Sequence, residues 1–92
     1  MKVNILYEVL GTVYPQNKEK QEELSLIVEK LEKEENLSKE EIENIKGLIQ
    51  DAITELSKKI NHIGFDFKYT EKEKEYFRGQ IYYLKKIRDE LA

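Results

Sequence analysis

Between Ser38 and Ile63 the apolar residues Ile42, Ile45, Ile49, Ala52, Leu56 and Ile63 recur three, four or seven positions apart, with Leu48, Ile53 and Ile60 broadening the stripe. That period sets one side of a helix against a core. Ser38 and Glu41 have capping-box spacing, in which hydroxyl and carboxylate each satisfy an orphan amide of the first turn. Glu40 and Glu41 near the start, and Lys58 and Lys59 near the end, suit the helix macrodipole. Gly64 is the residue expected to stop this helix in a left-handed conformation.

A second amphipathic helix is predicted from about Asn17 to Glu35. Leu24, Ile27, Val28 and Leu31 form its stripe and Leu26 widens it, while Pro15 and Asn17 supply the break and the cap at its start. The link Glu35-Asn36-Leu37 is so short that the two helices must fold back as an antiparallel hairpin, with Leu37 plugging its end. A third helix runs from about Glu71 to Leu91 behind a Thr70/Glu73 capping box. Its seam is Phe77, Leu84, Ile87 and Leu91, thickened by Tyr76, Ile81 and Tyr83 into a face wide enough for more than one neighbour.

Two segments admit two readings. Val3, Ile5, Tyr7 and Val9 alternate as a strand does, whereas Val3, Leu6, Leu10 and Val13 fit a helix; the β-branched and aromatic content favours the strand. Ile63, Phe65, Phe67 and Tyr69 alternate in the same way. The expected fold is therefore mainly α, a helical hairpin plus a C-terminal helix, with a two-stranded β element at residues 2–9 and 65–69. An all-α bundle of three or four helices is the alternative. A two-stranded sheet is marginal without helix packing or a second subunit behind it.

The 92 residues suffice for one small domain, 1–92, which buries a smaller share of its surface than a larger chain and gains from association with itself or with a partner. There is no cysteine, so no disulfide or thiolate metal site supports the core, and a reducing, cytoplasmic setting is expected. No apolar run approaches a membrane span, and Met1–Leu10 lacks a signal-peptide pattern. Sixteen basic against nineteen acidic residues give a net charge of -3, which argues against a generic nucleic-acid binder. Abundant Lys, Glu, Ile and Asn suits an AT-rich coding genome, such as a low-GC bacterium or a virus that infects one.

Catalytic groups are scarce. His62 is the single histidine; near a helix C-terminus it is a favoured cation, and no second histidine or cysteine completes a metal set around it. Asp66 follows four residues on, but the two have no matched nucleophile. The adjacent pairs Glu22-Glu23, Glu34-Glu35 and Glu40-Glu41 diverge by about 100° on a helix, so they cannot share a proton or a metal. The four glycines lack phosphate-loop spacing. Gly47 and Gly79 instead fall inside predicted helices, each costing about 1 kcal/mol against alanine. Close approach of two backbones is the first explanation, and a spot where a partner touches the backbone is the second.

The strongest functional lead is aromatic. Tyr69, Tyr76, Phe77, Tyr82 and Tyr83 crowd the last third of the chain beside Lys72, Arg78, Lys85, Lys86 and Arg88. Tyr82 shares a face with Arg78, Lys85 and Lys86 by three-and-four spacing, and Tyr and Arg are enriched at protein interfaces. The expectation is a non-catalytic protein-binding chain with no cofactor, self-associating, whose partner-binding residues are Arg78, Tyr82, Lys85, Lys86 and Tyr76. A phage or mobile-element inhibitor of a host defence system suits its size. The alternatives are an oligomeric binder that sequesters a nucleotide by tyrosine stacking, and a structural assembly subunit.

Overall fold

The computed structural model describes residues 3–61 and 68–91. These form four helices: α1 (Asn4–Val13), α2 (Lys18–Glu32), α3 (Lys39–Asn61) and α4 (Glu71–Glu90). The all-α alternative is the one that fits, and no strand occurs among the described residues.

Residues 4–9 of the first expected strand lie in α1, which corrects that reading. Val3, Leu6, Val9 and Leu10 are all buried, a three-and-four pattern that turns one helical side inward. A helix satisfies its backbone amides internally, whereas a short strand needs a mate for each. Burial of that side therefore outweighs the β propensity of Val, Ile and Tyr. Of the second expected strand, residues 65–67 lie outside the described residues, as do His62, Ile63, Gly64 and Asp66. Lys68 and Tyr69 have no regular structure and lead into the Thr70 cap of α4. Pro15 marks the break after α1, since a proline cannot continue the hydrogen-bond ladder.

α2 begins where Asn17 caps it, its side-chain oxygen accepting from the Lys20 amide at 3.0 Å. It ends three residues earlier than expected. Glu34 takes a left-handed φ of 58°, and the Glu34 and Glu35 amides donate to the Leu31 and Lys30 carbonyls. This is a Schellman stop with glutamate in the place glycine usually fills. Both capping boxes form as the spacing predicts: Ser38 with Glu41, and Thr70 with Glu73. Leu37 packs half-buried against the core at the tip of the α2–α3 hairpin. Lys30 and Glu41 close that tip with an ion pair of 2.8 Å.

α1 and α3 touch each other and both remaining helices, while α2 and α4 lie to either side without meeting. The core runs through the middle: Leu24, Ile27, Val28 and Leu31 of α2, Ile45, Leu48, Ile49, Ala52 and Leu56 of α3, and Leu84 and Ile87 of α4. Each buried Leu or Ile stabilises the fold by about 1.5–3 kcal/mol. Only two residues of α4 are fully buried, with Phe77, Ile81 and Leu91 packed half-buried beside them. The helices make a flat body of 41 × 26 × 17 Å. α4, at one flank, keeps one long side open to solvent.

Candidate functional site

α4 is fixed at its ends and along its inner side. The Thr70 box sets the start, and the Tyr69 and Phe77 rings meet edge to face at 4.9 Å. Lys59 of α3 places its ammonium 5.4 Å from the Phe77 ring centre. Gln80 donates to Glu8 of α1 at 3.4 Å. Phe77, Ile81, Leu84, Ile87 and Leu91 supply the contacts with two neighbours that the wide seam predicted. Tyr76 and Tyr83 do not take part as expected: they are 59% and 58% exposed, and Tyr82 is 59% exposed. A small flat body has too little surface on α1 and α3 to cover both edges of a broad helical stripe. Leu26 of α2 is 64% exposed for the same reason, rather than widening the core.

At about 100° per residue, Arg78 and Lys86 stand roughly 40° to either side of Tyr82, and Lys85 about 60° away. Those four share one edge of the exposed side. Tyr76 stands about 120° from Tyr82 and opposite Lys85, on the other edge, where its hydroxyl accepts from Gln80 at 3.5 Å. Arg78 is held by Glu75 at 2.5 Å. The Lys86 ammonium lies 5.6 Å from the Tyr82 ring centre. The rings of Tyr82 and Tyr83 meet at 5.5 Å with 75° between their planes, bridging the two edges. The arrangement offers apolar ring area, tyrosine hydroxyls and cations on a rigid support, the chemistry of an anchor surface. It pairs no nucleophile with a base. Among the described residues no three His, Cys, Asp or Glu gather closely enough to hold a metal, and no helix is long and apolar enough to cross a membrane.

The glycine expectation is corrected. A Cβ built at Gly47, or at Gly79, meets nothing within 4 Å among the described residues, so neither glycine permits a close backbone crossing there. Gly47 faces outward on α3, in a polar groove with Asn44, Asp51, Tyr14 and Lys20. In that groove the Tyr14 hydroxyl donates to the Asp51 carboxylate at 2.5 Å. Gln21 donates to the Tyr14 carbonyl, and Lys20 covers the ring at 4.4 Å. Partial burial, then the bond to Asp51 and its negative charge, push the Tyr14 hydroxyl well above the ordinary tyrosine range. This cluster ties the α1–α2 turn onto α3. It links residues 37 positions apart, so no local spacing signals it.

Set against protein-family models, curated proteins and solved structures, the chain matches none of them. The functional reading rests on the exposed side of α4.

Proposed function

We propose that the protein is a non-catalytic binding protein that acts in the cytoplasm by protein–protein contact, with Arg78, Tyr82, Lys85 and Lys86 as the contacting edge and Tyr76 on the far edge of the same helix. The observation that carries this reading is the exposure of three tyrosines on one well-capped helix: Tyr76, Tyr82 and Tyr83, each more than half open to solvent. Such rings bury large area on docking at little cost in side-chain entropy, and the neighbouring cations suit an acidic partner surface. Covering a larger host protein, as a phage or mobile-element inhibitor would, requires a face of this kind and no catalytic groups.

The test replaces Arg78 and Tyr82 together by alanine. Both side chains are exposed, so the circular-dichroism melt should move by no more than about 0.5 kcal/mol. Capture of a stoichiometric partner from host lysate should be lost. A partner retained by the double variant contradicts the assignment of this edge. A nucleotide that raises the melting temperature of the wild-type chain, and loses that effect in the variant, assigns the edge to ligand sequestration instead.

A further inference from the structure

A stripe that shares Tyr76 and Lys86 with the proposed partner surface runs the whole length of α4. Lys72 and Glu90 are eighteen residues apart, about five full turns at 3.6 residues per turn, and so share one line along the helix. Tyr76, Gly79, Tyr83 and Lys86 lie within about 40° of that line. The line lies opposite Ile81, which packs half-buried against the core, and about 60° from the buried Ile87.

The two end charges have the wrong sign for their positions. Lys72 is in the first turn and Glu90 is the last helical residue, where the macrodipole disfavours a cation and an anion respectively. Neither makes an ion pair with another described residue, whereas Lys74, Arg78 and Arg88 each do. Two charges without an ion pair among the described residues are thus arranged symmetrically about the middle of the helix. Turning a second α4 end for end about the height of Ile81 brings position 72 opposite 90, 76 opposite 86, and 79 opposite 83. Lys72 then meets glutamate, Tyr76 meets a lysine ammonium that can lie over its ring, and the Tyr83 ring meets the bare backbone of Gly79. The open space where a Cβ would stand at Gly79 is what a ring from a facing helix needs. Antiparallel helices also bring opposite dipole ends together.

We propose that the stripe Lys72, Tyr76, Gly79, Tyr83, Lys86 and Glu90 docks on the same stripe of a second copy of this chain, the two α4 helices running antiparallel about a two-fold axis at Ile81. The inference rests on the reading that the open side of α4 is a contact surface. It concerns a stripe that shares Tyr76 and Lys86 with that surface and that Arg78 and Tyr82 only flank. In such an isologous pair each residue acts twice, so one charge reversal creates two like-charge contacts.

The experiment measures the mass of the full chain by light scattering and sedimentation from micromolar to millimolar concentration, for wild type, Lys72→Glu, Glu90→Lys and the double variant. The wild type should dimerise. Each single reversal should weaken the dimer by roughly tenfold or more, and the double reversal should restore it. Both reversals improve the match to the macrodipole, so the dilute monomer should melt no lower than wild type, which separates lost docking from lost folding. A wild type that stays monomeric to millimolar concentration overturns the proposal, as does a dimer indifferent to either reversal or a double variant that fails to recover. Arg78→Ala with Tyr82→Ala should leave the dimer intact. A monomeric wild type whose partner capture is still lost in that variant removes the dimer and leaves the proposed function standing.

Discussion

Replacing Gly47 by alanine tests whether the open space beside α3 is real. Gly47 lies in the interior of Lys39–Asn61, exposed, with nothing within 4 Å of an added Cβ among the described residues. No repacking term opposes the substitution, and what remains is helix propensity. Glycine leaves more backbone freedom to the unfolded chain, worth about 0.8–1.0 kcal/mol in favour of alanine. For a chain of this size that corresponds to a rise in melting temperature of roughly 4–8 °C. A thermal melt followed by circular dichroism at low protein concentration reads it directly, with a urea series to check that the slope stays constant. A fall in stability would refute the reasoning, because it would mean that the Cβ meets a neighbour. An unchanged melt would equally refute it, since no described residue offers a compensating loss.

The remaining predictions follow from single groups. Glu34→Gly should stabilise the chain by about 1 kcal/mol, because Glu34 holds a left-handed φ of 58° that costs glycine little; a melt decides it. Tyr14→Phe removes the hydroxyl bonded to Asp51 and should cost about 1 kcal/mol, with Asp51→Ala adding little more in a double-mutant cycle because both changes break one contact. Hydrogen bonds from the Lys30 ammonium and the Ser38 amide hold the Glu41 carboxyl below its ordinary value of 4.5. A depressed carboxyl contributes stability that is present above its unfolded value and lost as pH falls through the folded one. The melting temperature should therefore decline on acidification below about pH 4.5, and Glu41→Gln should make that decline shallower. Lys30 is raised by the same bond to Glu41, so its share is present at neutral pH and lost only as pH rises past the ordinary lysine range.

Much of this architecture is legible in the residues because the signals are local. The hydroxyl and carboxylate of each capping box sit three positions apart, and Asn17 is a cap-type residue just after the Pro15 break, so three helix starts can be read from local sequence alone. α1 is harder, since Val3, Ile5, Tyr7 and Val9 support alternation while Val3, Leu6, Leu10 and Val13 support a turn. What decides between them is the presence of α2, α3 and α4 around a single buried side, and that is tertiary information. The end of α2 is hidden because a glutamate, not a glycine, takes the left-handed position. Tyr76, Tyr83 and Leu26 mislead for a related reason. Periodicity shows which residues share a side, but not how much neighbouring surface exists to cover them.

The candidate site divides in the same way. The grouping of Arg78, Tyr82, Lys85 and Lys86 follows from three-and-four spacing. The nine-residue offset that sets Tyr76 opposite Lys85 is legible too, once the angles are summed. Lys72 and Glu90 also carry a readable signal, five turns apart with charges opposed to the macrodipole. Their lack of an ion-pair partner among the described residues appears only when α4 is seen beside its neighbours.

The most direct test of α4 as the working surface is tyrosine footprinting, in which mild nitration is followed residue by residue by mass spectrometry. In dilute chain Tyr76, Tyr82 and Tyr83 should react fast and Tyr14, engaged with Asp51, slowly. At the concentration where the chain associates, Tyr76 and Tyr83 should become protected, and Tyr82 should follow when a captured partner is added. Unchanged reactivity of all three while a complex demonstrably forms would place the interface elsewhere on the molecule and contradict the account.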